Sequence, residues 1–548
     1  MPSSNETLRP IGDIAAQVGL SRDDIIPFGF YKAKIPLDVL YQRPRRAKLV
    51  LVTAITPTPP GEGKTTMSIG LTQALRRLGV DATVVLREPS LGPTFGVKGG
   101  ATGGGASQIQ PSTEINLHFT GDFHAITAAH NLLAALVDNE LYHGARLSVN
   151  PGNVTWKRVL DVNDRALRHV VIGLGGSGQG VLRETGFDIT AASEIMAAFT
   201  LSRDLPELQE RISRMIVARD GGQFVSVNQI GAEGALTALL REALMPNLVQ
   251  TSEGTPAIVH GGPFANIAHG CNSIVATEAG LRLSDIVITE AGFGADLGAE
   301  KFLDIKMPIA ELHPGLAVVV VTLRALRYHG GQPLDQTERP DLEAIKRGMP
   351  NLERHLTNLK RFGLPAVVGI NRFATDSEEE MAWVVDRLNR QEVPAAVADV
   401  FSQGGTGGRQ LAEIVTQALQ YSAPTVTPLY RTDMPIQEKI GIIARDIYGA
   451  RSVEYGPDAL VALSRIKRWD LENLRVCIAK TQYSLSDNPK LLGRPEDFVF
   501  HIRDIEVSRG AGYVVPLAGS MIRMPGLPKE PAAYRVSVDQ TGEIFGVH

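Results

Sequence analysis

Short apolar runs of about five to seven residues recur along the chain, often followed by a glycine-rich turn and then by a stretch with helical spacing. Such runs lack the alternation of a half-exposed strand, so they predict strands buried on both faces of a parallel sheet. The first unit reads as a strand from Lys48 to Ile55, a turn, and a helix from Thr65 to Leu78 on which Met67, Leu71, Leu75 and Leu78 share one face. Further strands are predicted at Ala82 to Leu86, His169 to Gly173, Asp285 to Thr289, Leu316 to Thr322, Ala366 to Asn371 and Val397 to Phe401. Between Tyr328 and Pro340 the chain turns to Gly, Pro, Gln and charged residues, which reads as a boundary. Helices at Asp341 to Phe362, Asp376 to Gln391 and Arg409 to Gln420 then alternate with strands. From Met434 two more helical segments lead to a strand at Arg475 to Ala479 and a polar tail. The fold class is α/β, a largely parallel sheet flanked by helices with smaller additional α/β domains. The expected division is a large domain over 1–335, a second over 336–432 and a C-terminal one over 433–548.

Composition narrows the function. At 548 residues, 43% hydrophobic and 21% charged, the chain can bury two or three cores. A formal net charge of −4 provides no global basic field, so neither nucleic acid nor an acidic membrane surface is an expected partner. The longest apolar stretches, such as the one around Ala317 to Val321, reach about half of the roughly 18 residues a membrane span needs. Only Cys271 and Cys477 are present, and the N-terminus lacks a basic-then-apolar leader, so a reducing cytoplasm is expected. Glycine is the outlier, with 55 residues against a usual share of about 7%.

The glycines cluster where phosphate chemistry needs them. Thr56, Pro57, Thr58, Pro59, Pro60, Gly61, Glu62, Gly63, Lys64, Thr65 and Thr66 lie between a predicted strand and helix. There, backbone amides and the helix dipole can meet phosphate. Lys64 would reach the terminal phosphates of ATP, and the Thr65 hydroxyl is a candidate magnesium ligand, although Thr58 occupies the position of the motif's first glycine. No guanine-reading motif is present, since Asn371-Arg-Phe-Ala lacks the final Asp. The next strand ends in Arg87-Glu88-Pro-Ser, and in a right-handed βαβ unit it opens on the same edge, so Arg87 should face the loop's phosphates. Gly96 to Gly105 holds six glycines and Lys98, a second stretch in which backbone can approach a ligand closely. His118, His124 and His130, and His260, His269 and Cys271, lack zinc-site spacing, and Asp122-x-His124 reads instead as a polar pair lining a site.

These blocks together resemble the formate–tetrahydrofolate ligase family, of the monofunctional bacterial type. Besides the loop and Arg87-Glu88-Pro-Ser-Leu-Gly-Pro, the resemblance covers Ile115-Asn-Leu-His-Phe-Thr-Gly-Asp122-Phe-His124 and the block from Val259 to Ser273. It continues through Thr289-Glu-Ala-Gly-Phe293-Gly-Ala-Asp296, the block from Val320 to His329, and Met524-Pro-Gly-Leu-Pro528. It implies ATP-dependent joining of formate to tetrahydrofolate, giving 10-formyltetrahydrofolate, ADP and phosphate through formyl phosphate. It also implies magnesium with ATP, activation by a monovalent cation (K+ or NH4+), and a homotetramer. By that likeness Lys64 and Arg87 are the cations beside the transferring phosphate, Glu88 lies in the formyl phosphate region, and Asp122 helps position or deprotonate the amine. Phe293, Phe373 and Phe401 match the residues that stack the pterin. The chain departs from the family at Phe401, where Trp is usual, and at Gln403 and Thr406, where Lys and Glu are usual, as well as at Ala106 and Thr102. Rival expectations are a P-loop ligase for another small carboxylate and a nucleotide-gated switch protein.

Overall fold

A computed structural model describes residues 8–96, 101–144, 149–421, 423–519 and 521–547. Seven strands run parallel at its centre: β1 (Lys48–Ala54), β2 (Ala82–Leu86), β3 (Pro256–Val259), β4 (Ile286–Glu290), β5 (Pro314–Val321), β6 (Ala366–Asn371) and β7 (Ala395–Ala398). In space they lie in the order β3-β2-β4-β1-β5-β6-β7. Beyond β3 the sheet continues through antiparallel pairings to Asn247–Thr251 and Ala33–Lys34. The strands are continuous apolar runs because each feeds two cores. From β1, Leu49 and Leu51 enter one core while Val50, Val52 and Ala54 enter the other. In β5, Ala317, Val319 and Val321 face one and Leu316, Val318 and Val320 the other. Each of the larger side chains contributes about 1.5–3 kcal/mol by leaving water. Helix α1 (Lys64–Arg77) is buried from Met67 to Leu75, more completely than a one-faced amphipathic helix would be. Gly70 permits this, since a Cβ there would meet Val400 at 2.4 Å and the Ser107 hydroxyl at 2.7 Å.

Three expectations change. The run from His169 to Gly173 does form a strand, Val170–Ile172, but it pairs with Arg183–Thr185 in a separate hairpin rather than joining the main sheet. The strand expected to reach Phe401 ends at Ala398, and Val400–Gln403 is a short helical turn capped by the Asp399 side chain. In the C-terminal region Arg475–Val476 joins a three-stranded sheet with Tyr513–Leu517 and Asp504–Ser508, and Ala479 adds only a single bridge. Strands β6 and β7, from the segment 336–432, extend the same sheet as β1 to β5. Among the described residues no helix is long and apolar enough to cross a membrane.

Candidate active site

Parallel strands present their carboxyl ends on one edge, where ligands bind in open α/β sheets. Strand β4 lies between β1 and β2. Its last residue, Glu290, therefore stands between the loop that follows β1 and Arg87, which follows β2. The Thr65 hydroxyl donates to Glu290 Oε2 at 2.8 Å. From the other side Arg87 reaches Glu290 Oε1 through Nε at 3.4 Å and Nη2 at 3.3 Å. Two clefts, of about 600 and 480 Å³, are lined by other parts of the molecule, among them Arg219, Arg465 and Trp469. Neither includes the loop or Arg87, and the chemistry read from the sequence belongs to the strand edge.

The loop is held from inside and below. Thr58, at the departing position of the motif, closes it: its amide and hydroxyl donate to Glu62 Oε1 at 2.7 and 2.8 Å. The other oxygen of the buried Glu62 carboxylate accepts from the Thr322 hydroxyl at the end of β5. Asn371, at the end of β6, donates to the Glu62 carbonyl at 3.0 Å, and Arg324 donates to the Gly61 carbonyl at 3.0 Å. Gly61 and Gly63 take φ of +87° and +74°, where a side chain is strained, and a Cβ on Gly63 would lie 2.5 Å from Asn371 Nδ2. Gly63 caps α1, so the first amides of the helix and the Lys64 side chain follow directly from the turn. Thr66 lies in that first turn; Pro57 is buried, and Pro59 and Pro60 form the exposed tip. Below the loop, Thr56 meets three side chains. Asn351 accepts from its amide at 3.3 Å and donates to its hydroxyl at 3.0 Å, and His355 Nε2 lies 3.0 Å from that hydroxyl. His329 Nε2 donates to the Thr56 carbonyl at 2.8 Å, while its Nδ1 accepts from the Gly493 amide at 3.2 Å. That pairing assigns a neutral ring, and burial lowers the His329 pKa accordingly.

Arg87 is a quarter exposed and Glu88 is buried. The guanidinium lies against the backbone of Gly292, where a Cβ would come within 3.0 Å of Nη1. Glu88 Oε2 has no hydrogen-bond partner among the described residues. Burial, with Asp122 adding to it, pushes the Glu88 carboxyl well above its usual range, against the pull of Lys34. Beyond it, the Ser90 hydroxyl and the Leu91 amide donate to Asp161 at 2.6 and 2.9 Å, tying down the segment that follows Arg87. Asp122 is 1% exposed, its oxygens taken by Lys34 Nζ at 2.8 Å and Asn247 Nδ2 at 2.7 Å. Both carboxylate oxygens are thus engaged by interior side chains.

The three phenylalanines all follow parallel strands on this edge. Phe293 comes after β4 with φ of +60°, in a turn that takes an uncommon backbone. Phe373, after β6, has Arg324 over its ring at 4.8 Å. Phe401, after β7, is 56% exposed. The glycine run reaches this group: the Ala106 amide donates to the Phe401 carbonyl at 2.8 Å, and a Cβ on Gly104 would sit 3.0 Å from the Phe401 ring. Lys98 lies outside the described residues. Sequence reasoning passed over Glu290, Arg324 and Asp161. Glu290 and Arg324 stand inside the quoted blocks, and the signal available for Glu290 was its place directly after a predicted strand.

The αL glycine turn leading from β1 into α1, with a hydroxyl-bonded carboxylate on the neighbouring strand and an arginine beyond it, defines a nucleotide-binding protein of the P-loop α/β class. A family model described as formate–tetrahydrofolate ligase matches residues 2–548. The chain belongs to that family: it is an ATP-dependent ligase of one-carbon metabolism whose substrates are ATP, formate and tetrahydrofolate.

Proposed function

We propose that this ligase works in two steps on the sheet edge. A formate oxygen attacks the γ-phosphorus of ATP and the bond to the β-phosphate oxygen breaks, leaving ADP and formyl phosphate. N10 of tetrahydrofolate then attacks the formyl carbon, the carbon–oxygen bond to phosphate breaks, and N10 loses its proton to give 10-formyltetrahydrofolate. Formate is a poor electrophile because its charge is delocalised, and phosphorylation gives it a leaving group. The loop amides and Lys64 hold the β- and γ-phosphates, while Arg87 offers paired donors to the charge that develops on the transferring group. Glu88 borders the formyl phosphate region, Asp122 acts beneath it through Lys34, and Phe293, Phe373 and Phe401 receive the pterin. The Thr65 hydroxyl and Glu290 carboxylate are hard oxygen donors of the kind that suits Mg2+ and would hold the ion of MgATP. When bound, that ion supplies positive charge at the phosphoryl oxygens. Activation by K+ or NH4+, the homotetramer and the cytoplasmic setting are extended from the family resemblance.

The observation that carries this reading is the placement of the phosphate loop and Arg87 on the two strands that flank Glu290. The test uses ATP labelled with 18O in the β,γ-bridge. Scrambling of the label that requires formate but not tetrahydrofolate is expected. Scrambling only when tetrahydrofolate is present would rule out formyl phosphate as a free-standing first intermediate. Formation of 10-formyltetrahydrofolate, with and without potassium, completes the assay.

A further inference from the structure

The Glu290 carboxylate has two clients. Oε2 takes the Thr65 hydroxyl hydrogen at 2.8 Å, and because a hydroxyl has one hydrogen, the lone pairs of Thr65 are left for another partner. Oε1 takes Arg87 through two long contacts, 3.3 and 3.4 Å, well beyond the roughly 2.7–2.9 Å of a strong charge-assisted bond. Glu290 is 3% exposed, whereas Arg87 is a quarter exposed and rests against the bare backbone of Gly292. The carboxylate is therefore the fixed member and the guanidinium the one held loosely.

We propose that Glu290 is a positioning residue that couples the nucleotide half of the site to the acid half, a role that rests on the functional reading above. With no nucleotide bound, Glu290 restrains Arg87. A cation held by Thr65 and Glu290 beside the nucleotide draws on the same negative charge, loosens the Arg87 contact and releases the guanidinium toward an anion. Linkage makes the effect reciprocal: MgADP tightens anion binding at Arg87, and the anion tightens MgADP to the same extent.

The experiment is equilibrium calorimetry on the full-length protein, with inorganic phosphate titrated in the absence and presence of saturating MgADP. The wild-type chain is expected to bind phosphate about five-fold or more tightly when MgADP is present, the lower end of usual coupling. In Glu290→Gln the Mg2+ dependence of ADP binding falls and the phosphate coupling is lost, while magnesium-free phosphate affinity is retained or improved. Glu290→Asp, whose shorter side chain keeps the charge but spans the two partners less well, retains part of the coupling. Thermal melting identifies a variant that does not fold, in which case Glu290→Asp alone decides. Coupling in folded Glu290→Gln equal to wild type, or a wild-type chain that binds both ligands independently, overturns the role of Glu290. A wild-type chain that binds neither ligand overturns the functional reading beneath it.

Discussion

Arg324 stands over Phe373, its guanidinium carbon 4.8 Å from the ring centre, while its Nη2 donates to the Gly61 carbonyl at 3.0 Å. One side chain thus spans from the phosphate loop to an aromatic platform, and one face of Phe373 is already covered. A pterin received at Phe373, as proposed, would use the other face or displace the guanidinium. Arg324→Ala should therefore raise KM for ATP by about ten-fold, the scale of losing one hydrogen bond from a charged group. The KM for tetrahydrofolate should shift too, whereas Phe373→Leu should shift it alone. Steady-state kinetics in both substrates checks this, and an unaltered KM for ATP in Arg324→Ala would remove the link between loop and platform.

Arg87→Ala should lower kcat by roughly 10²- to 10³-fold, the range for losing one transition-state electrostatic contact. Its contacts with Glu290 are long and Arg87 is part-exposed, so the melting temperature should barely move. Arg87→Lys should restore little, because an ammonium cannot present paired planar donors. An Arg87→Ala enzyme with wild-type kcat sinks the assignment.

The phosphate loop was legible because its chemistry is local: Gly61, Gly63, Lys64 and Thr65 fall within one turn of chain, and the turn itself selects glycine. Glu290 was not, because its partners lie 203 and 225 residues away and only strand order brings them together. That Asp122 pairs with Lys34 was not legible either, because Lys34 lies 88 residues earlier in the chain. Apolar runs gave most of the central strands, since burial on both faces leaves a continuous signal. They could not say which sheet a run joins, so Val170–Ile172 was placed with the main sheet although its exposed Val171 marks a peripheral hairpin. Strand β3 was missed because it is four residues long and begins with proline.

Phe401 is more than half exposed, which suits a surface waiting for a flat ligand better than a core position. Phe401→Ala should raise KM for tetrahydrofolate by about two- to ten-fold, the equivalent of roughly 0.5–1.5 kcal/mol of stacking. KM for ATP and the melting temperature should stay near wild type. Phe401→Trp, which restores the residue usual in the family, should lower KM for tetrahydrofolate through its larger face. An effect of Phe401→Ala confined to ATP would contradict the stacking role.

Asp161 anchors the segment after Arg87, and burial pushes its carboxyl from the usual value of 3.8 up to about 7, against the hydrogen bonds from Ser90 and Leu91. The sign follows from linkage. Between about pH 4 and 7 the folded chain holds a proton on Asp161 that the unfolded chain releases, so this group's contribution to stability is complete below pH 4 and is lost as pH rises through 7. Asp161→Asn removes the titration while retaining an oxygen that can accept from Leu91 or Ser90. The fall in melting temperature between pH 5.5 and 8 should therefore be smaller in Asp161→Asn than in wild type, by roughly 1 to 4 °C. Scanning calorimetry at matched ionic strength measures both slopes. Identical slopes would show that Asp161 is ionised across this range, its desolvation offset by the two hydrogen bonds it accepts.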